Sequence, residues 1–562
     1  MDGQIVLTLK NFTMDENEIE IINHGDNLEE VSQILQKFLK HNENVFNFPN
    51  LCEGNQRVLL WTALFQQLQN KGSASIHAAC LGAIRVLSRD KAGLENLICE
   101  KWMTILIERA GLYKFEELDD ETMVPLDIME KDTAVEALKC LCNITFNSEV
   151  ARALCAHTSI AQGLVARLRI YKEIPFKDEV MLFDIKLQFI LTALRHDIKS
   201  KIKELHGMEY LINCLAEILL EASATGEASS SSGTAVSSQY CSLQDSKQAI
   251  ICEILKTQFN LMPQAVSEEA DEDEEAMYLK LMPILTALLH TQTSSEEKLM
   301  ELRSNIANLL TSVPRKFYSY LIPKLNEGEF AECVFEDMNM DALQALIQLL
   351  EYRLSITTNT RNQYESLSPI LTVLNKSARG GRAQRKYLRR VVLPPLRDVS
   401  RPPERGAALR NRLCRLLTTP VSAVRDLAAE FLFVLCKEKV GRMVKYTGFG
   451  NAAGHLAQQG LLGGARGADY SSSGDDSDTD EYLRAQPHID PVVGCTRPPR
   501  TNPFEGMTEE QKEYEAMKLV NLFDKMVSEG VVKPARIGPD GRPQAVEHVM
   551  EFRENPPNRP QS

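Results

Sequence analysis

An all-α helical array is the fold class this sequence predicts, and three observations predict it. Apolar residues recur every three to four positions from about residue 26 to residue 440, the period of a helix with one buried face. Alternating β-branched runs are scarce. A short pattern also recurs at intervals longer than one helix, which marks a repeat architecture. Hydrophobic residues make up 44% and charged residues 25%, an ordinary balance for a globular chain, so wholesale disorder is excluded.

The helices follow in order. In 76–87 the apolar positions are Ile76, Cys80, Ile84 and Leu87; in 424–435 they are Val424, Ala428, Phe431, Leu432 and Leu435. Ala83-Ile-Arg-Val-Leu-Ser-Arg89, Ala137-Leu-Lys-Cys-Leu-Cys-Asn143, Ile190-Leu-Thr-Ala-Leu-Arg-His196 and Ile370-Leu-Thr-Val-Leu-Asn-Lys376 share one pattern closing on a polar slot. Looser copies close on Asn260, Ser312 and Lys437. The slots Arg89, Asn143, His196, Asn260, Ser312, Lys376 and Lys437 lie 54, 53, 64, 52, 64 and 61 residues apart. Armadillo and HEAT units run roughly 40–47 residues, so these spacings fit such units with loop insertions. The Ser/Gly/Ala-rich stretch near 222–240 and the acidic stretch near 265–275 read as those insertions, solvated and mobile. The expected fold is therefore a right-handed armadillo/HEAT-type superhelix over 1–440. In such a stack one slot of successive repeats lines one face, and a ladder of Asn, His, Arg and Lys offers donors and acceptors to a docked peptide. The competing reading is that each slot residue caps its own helix.

Beyond the array, 441–506 reads as a flexible linker carrying the acidic segment 470–482. Ser472, Ser473 and Ser477 there each precede an acid by three residues, the preference of acidophilic kinases. Thr508-Glu-Glu-Gln511 is a capping box opening a helix over 507–530, with Met517, Val520, Phe523 and Met526 on an apolar stripe suited to a partner. Residues 531–562 read as a disordered tail. Between Lys376 and Arg415 stand thirteen Lys/Arg against Asp398 and Glu404, in a chain of net charge −14. Phosphorylated 470–482 is expected to clamp onto this segment, at Arg379, Arg382, Arg385, Lys386, Arg389 and Arg390.

Several function classes are excluded. There is no phosphate-binding loop, no metal-ligand spacing and no nucleophile–base motif, so neither cofactor, metal nor catalytic constellation is expected. The thirteen cysteines, an odd number, mostly sit within helical patterns with no framework spacing, as reduced thiols do in a cytosolic protein. The N-terminal residues lack a signal-peptide pattern, and no apolar run is long enough to cross a bilayer. The acidic balance argues against nucleic acid as a partner. With only Trp61 and Trp102, the Trp/Asn array of a transport receptor is missing. On these grounds alone the chain is an armadillo-type scaffold or cargo-binding adaptor.

A resemblance sharpens this reading. Leu393-Pro-Pro-Leu-Arg-Asp-Val399, Ala428-Ala-Glu-Phe-Leu-Phe-Val-Leu-Cys-Lys-Glu438, Lys445-Tyr-Thr-Gly-Phe-Gly-Asn-Ala-Ala-Gly454 and Met507 through Lys525 closely resemble the synembryn family, as do Ile84–Asp90, Glu136–Asn143 and Leu191–Arg195. The resemblance implies a cytosolic, monomeric, non-receptor guanine nucleotide exchange factor and chaperone for heterotrimeric G protein α subunits free of βγ, recruited to the cell cortex through them. It implies a concave groove gripping the α subunit's C-terminal helix, with Arg85, Arg89, Asn143 and Phe183 matching groove positions and His196 and Asn260 continuing the slot. Arg85 and Arg89, one turn apart, are expected to meet a terminal carboxylate together. Ser477, and Ser471 or Ser472, fall where the family carries phosphate. Ser312 and Gln258 depart from the family's pattern, so the middle of the groove is expected to grip less or to prefer another α subunit.

Overall fold

The computed structural model describes residues 14–52, 55–112, 130–174, 176–227, 241–263, 271–326, 331–357, 360–462, 478–497, 504, 506–538 and 540–546. The chain divides into two compact units, Met1–Ser312 and Val313–Ser562.

In the first unit five long helices stack in chain order as rungs: His77–Leu87, Lys131–Asn147, Lys177–Leu194, Asp245–Leu261 and Glu296–Leu310. Between consecutive rungs the chain makes outer helices, such as Glu149–Ala156 and Ile160–Ile170, or His196–Glu204 and Gly207–Glu227. A long rung followed by a short and then a longer helix is the three-helix layer of an armadillo-type array. The rungs are buried on nearly every side because neighbours cover both faces. In Lys131–Asn147, Ala134, Ala137, Leu138, Cys140, Leu141 and Ile144 are all buried. Burying a Leu or Ile contributes about 1.5–3 kcal/mol, so the stack rests on these positions. Turns between helices are closed by caps: Ser148 Oγ accepts Ala151 N–H at 3.0 Å and donates to Glu95 at 2.6 Å, while Glu95 also takes the N–H groups of Glu149 and Val150.

The second unit is helical as well, with Asp341–Ile356, Gln363–Gly380, Arg382–Val392, Leu409–Leu416, Ser422–Leu435, Val440–Thr447 and Phe449–Gln458, plus three two-stranded hairpins. Gln363–Gly380 and Ser422–Leu435 pack together as its two rungs.

Four expectations change here. The acidic stretch near 265–275 is partly helix: Asp271 caps Glu272–His290 by accepting Glu274 N–H at 2.8 Å, and Glu272–Glu275 fill its first turn, where the helix end favours negative charge. Residues 222–227, read as loop, extend helix Gly207–Glu227. The described parts of 441–506 are not a flexible linker. Two helices cover 440–458, and 478–497 straps back onto the unit: Thr496 N–H reaches Val399 O at 2.9 Å, while Phe449 and Gly450 N–H reach Pro491 and Val492 O at 2.9 and 2.8 Å. Gly448 has φ +76°, and a Cβ there would lie 3.0 Å from Val493 O, so only glycine lets the strap approach. Finally, Ala535–Ile537 pairs antiparallel with Pro543–Ala545, so the described part of 531–562 is a hairpin, tied to the helical end by Leu462 N–H on Gly541 O at 3.2 Å.

Candidate functional site: a polar and aromatic ladder

The rungs of the first unit are joined by side chains that reach the backbone of the rung before. Cys140 Sγ donates to Leu81 O at 3.0 Å and Asn143 Nδ2 to Arg85 O at 3.2 Å. Two rungs later Thr257 Oγ1 donates to Ile185 O at 3.4 Å and Asn260 Nδ2 to Phe189 O at 3.2 Å. Donors three apart meet acceptors four apart in both cases, so the two junctions are the same structure. Asn143 and Asn260 are therefore ties between layers rather than caps of their own helices. The repeat extends further: Glu136, Lys139 and Asn143 recur with identical spacing as Glu253, Lys256 and Asn260, with Lys–Glu contacts of 2.7 and 3.1 Å.

That equivalence corrects one predicted residue. The position four past Phe189, matching Arg89 four past Arg85, is Ala193. His196 lies three residues beyond it, exposed, and opens the helix His196–Glu204. The departures at Gln258 and Ser312 also gain a structural account. Gln258 is buried and donates to Met208 O at 2.7 Å, bracing the outer helix, and Ser312 is buried just past its rung.

Arg85 and Arg89 do not point jointly at an open carboxylate site. Arg85 Nε binds Glu136 at 2.8 Å, and the other oxygen of Glu136 holds Lys139. Arg89 Nη1 donates to Glu43 O at 2.7 Å and reaches Asn42 O and Val45 O at 3.4 Å. Burial, and then the Arg85 charge, pull Arg89 below its ordinary value. Arg89 thus fixes the loop that presents Phe46.

Beside these engaged groups stand aromatic rings with cations over them. The Arg89 guanidinium lies 5.4 Å from the Phe46 ring and Lys91 Nζ lies 5.5 Å from Phe146; these rings are 63% and 60% exposed. Phe183 is half-buried with Lys139 and Lys186 at 5.2 and 5.7 Å, and Phe259, beside Asn260, is exposed. Such a surface suits an apolar helix that also carries acidic groups. Phe46, Lys91, Phe146, Lys139 and Lys186 were not singled out in the sequence. The repeated Glu-x-x-Lys-x-x-x-Asn spacing was the signal that would have found Lys139.

Behind Phe183 the third rung is locked by a buried charge pair. Arg167 Nη1 lies 3.3 Å from Asp184 Oδ1, both fully buried, and Tyr171 OH donates to Asp184 Oδ2 at 2.9 Å. Burial raises the Asp184 carboxyl to about 6, against the pull of Arg167 and the Tyr171 hydroxyl, and pushes the Tyr171 hydroxyl well up. Burial likewise raises Cys140 and Cys142, which leaves these thiols protonated and unreactive.

In the second unit helix Glu509–Ser528 begins at the expected capping box, Thr508 Oγ1 with Gln511 N–H at 3.3 Å and the return bond at 3.1 Å. Met517, Val520 and Phe523 are exposed, as are Leu519 and Leu522, while Met526 is half-buried. Among the described residues nothing covers this apolar face, which suits it to a contact with another protein. Much of the basic segment is already engaged within the unit. Arg379 pairs with Glu430 and Glu438 at 3.1 and 2.9 Å, Lys386 with Glu336 at 2.8 Å, and Arg385 donates to Ala378 O at 3.2 Å. Arg382, Arg389 and Arg390 lie on the same helix, Arg382–Val392. Ser472, Ser473 and Ser477 fall outside the described residues; the following Asp478 pairs with Lys445, and Thr479 Oγ1 donates to Leu396 O.

Among the described residues no group of His, Cys, Asp and Glu is placed to hold a metal, and no helix is long and apolar enough to cross a membrane. The first unit is a stacked helical array with a repeating polar ladder, and the second carries an exposed apolar helix, features of the kind that protein-binding repeat proteins use. Its kinship is narrower: the family model described as "Guanine nucleotide exchange factor synembryn" matches residues 80–542, and the chain belongs to that family. It is 40% identical to "Chaperone Ric-8A" of Danio rerio over 91% of this chain and 92% of that one, and 39% identical to the protein of the same name in Gallus gallus over 92% and 94%. It is 36% identical to "Chaperone Ric-8" of Drosophila pseudoobscura pseudoobscura over 95% and 97%.

Proposed function

We propose that the protein is a non-receptor guanine nucleotide exchange factor for, and a folding chaperone of, α subunits of heterotrimeric G proteins. Itself a monomer, it engages them free of βγ, in the nucleotide-free or GDP-bound form, in the cytoplasm and at the cell cortex. The observation that carries this reading is the set of exposed or half-buried rings Phe46, Phe146 and Phe183, each with a cation over it, on or beside the first three rungs, together with membership of a family described by its exchange activity. The C-terminal helix of the α subunit lies along these rungs, its apolar face on Phe146, Phe183 and Phe259 and its acidic groups toward Lys91 and Lys186. The exposed stripe Met517, Val520 and Phe523 supports the nucleotide-binding domain.

Exchange needs no acid or base. A protein that binds the empty α subunit more tightly than the GDP form weakens GDP by the same factor, because binding linkage is reciprocal. Holding the C-terminal helix off its own domain supplies that preference, and GTP reverses it by reseating the helix. The same grip shelters apolar surface on an unfinished α subunit until nucleotide completes its fold. Phosphates placed on Ser472, Ser473 and Ser477 by an acidophilic kinase clamp the acidic segment to Arg382, Arg389, Arg390 and their neighbours, steadying the C-terminal arm. Titration against one α subunit in nucleotide-free, GDP and GTP-analogue forms tests the reading. The expected order of affinity is nucleotide-free, then GDP, then GTP; equal affinity for all three removes the basis for exchange.

A further inference from the structure

The loop from Leu393 to Leu409 is well held yet carries arginines that form no ion pair among the described residues. Leu393, Leu396, Val399 and Leu409 are buried beneath it. Val399 O accepts the strap at Thr496, Asn411 Nδ2 holds Pro403 O at 2.7 Å, and Arg415 Nη1 holds Glu404 O and Gly406 O at 3.0 Å each. Arg397, Arg401 and Arg405 are exposed and Arg410 is half-buried. Among the described residues none of these four guanidiniums makes an ion pair or hydrogen bond, unlike Arg412 and Arg415 beside them.

The two acids of the loop are engaged otherwise. Glu404 takes Asn451 Nδ2 at 3.1 Å. Asp398 takes the exposed Ser400 hydroxyl at 2.6 Å and its N–H at 2.9 Å. These two bonds, and then the charges of Arg401 and Arg410, hold the Asp398 carboxyl below its usual range. The Ser400 hydroxyl is therefore bonded to a carboxylate that already lies in the field of two unpaired arginines. Arg397 stands three residues before Ser400, the position that basophilic protein kinases read with an acidic cleft.

We propose that Ser400 is a phosphoacceptor for a basophilic kinase and that its phosphate neutralises this arginine surface. Ser400 Oγ attacks the γ-phosphorus of kinase-bound ATP, the new O–P bond forms as the bond to the bridging β–γ oxygen breaks, ADP departs, and the hydroxyl proton goes to the kinase's carboxylate. The product carries about −1.5 to −2 charges and three strong acceptors, so it outcompetes Asp398 for Arg401 and Arg410 through charge-assisted bonds. The chain then holds two phosphate switches of opposite logic, one on the acidic segment for acidophilic kinases and one on this basic loop.

The test treats the full chain with ATP, Mg²⁺ and the catalytic subunit of a kinase selecting Arg three residues before the acceptor. Peptide mass mapping locates the phosphate, and salt elution from a sulfated-polysaccharide resin reads the arginine surface. Wild type is expected to gain phosphate on Ser400 and to elute at lower salt than Ser400→Ala treated alongside. Arg397→Ala should slow modification at least tenfold and Arg397→Lys much less, with melting curves of both confirming the fold. The proposal is overturned if folded wild type stays unmodified at Ser400 while a peptide spanning 393–406 is modified. It is equally overturned if Arg397→Ala changes nothing, or if phosphate leaves the elution salt unmoved.

Discussion

Arg167→Met removes one partner of the buried pair behind Phe183, and its cost follows from the geometry. Arg167 and Asp184 are both fully buried, so the variant leaves a carboxylate with one neutral donor, Tyr171, and no countercharge. Breaking a buried pair in this way costs about 3–5 kcal/mol. A loss of that size lowers a melting temperature by roughly 6–20 °C, at ~2–4 °C per kcal/mol for domains of 150–250 residues. The loss depends on pH with a definite sign. Wild-type Asp184 has a folded value of about 6, above an unfolded value near ~3.9. Its contribution is fully present below the unfolded value and is lost as pH rises through 6. Removing Arg167 raises the folded value further, so the variant keeps losing stability above pH 6, where wild type has levelled. Thermal melts by circular dichroism at pH 5.5 and 8 check this, with the larger deficit expected at pH 8. Arg167→Met/Asp184→Asn should recover most of the loss, since no charge is then stranded. A deficit below about 1 kcal/mol that is equal at both pH values would refute the reasoning, because an exposed pair behaves that way.

Other contacts carry predictions of their own. Asn143→Ala removes one inter-rung hydrogen bond and Asn260→Ala removes two, to Phe189 O and Thr192 Oγ1, so they should cost about 1 and about 1–2 kcal/mol in a chemical melt, with nearly additive effects because the sites lie two layers apart. Lys247 bridges Asp178 and Glu221 at 2.7 and 2.8 Å, and the hydrogen bonds from Lys177 and Lys247 outweigh burial to hold Glu221 below its usual value. That stability is present above the unfolded carboxylate value and is lost as pH falls through the folded one, so Lys247→Met should flatten the acid limb of stability against pH. Phe523→Ser with Met517→Ser should leave the melting curve unchanged, since both side chains are exposed, and weaken binding to an α subunit at least tenfold in a calorimetric titration.

The rungs were legible because burial on a helix leaves a three-to-four-residue trace, and Ala137–Asn143 carries it plainly. The third rung misled because Leu187-Gln-Phe-Ile-Leu-Thr-Ala-Leu194 is apolar almost throughout, so two registers three residues apart fit equally well. Only the bonds from Thr257 and Asn260 decide between them. Side-chain partners were not legible at all: Arg85 and Arg89 carry the right chemistry for a carboxylate, but Glu136 and the Asn42–Val45 carbonyls claim them from positions distant in sequence. The strap at 478–497 reads as linker because its Pro, Gly and charged residues bury little. Its hold on the unit comes from backbone bonds and from Lys445 over the Tyr482 ring at 4.1 Å, neither of which leaves a periodic signal.

The most direct measurement is release of labelled GDP from purified α subunits of several classes, with and without this protein. Three forms belong in it: wild type, Phe146→Ser/Phe183→Ser, and a chain ending before Met507. The account predicts faster release with wild type and at least a tenfold smaller acceleration with either altered form. No acceleration by wild type, or equal acceleration by all three, would contradict it.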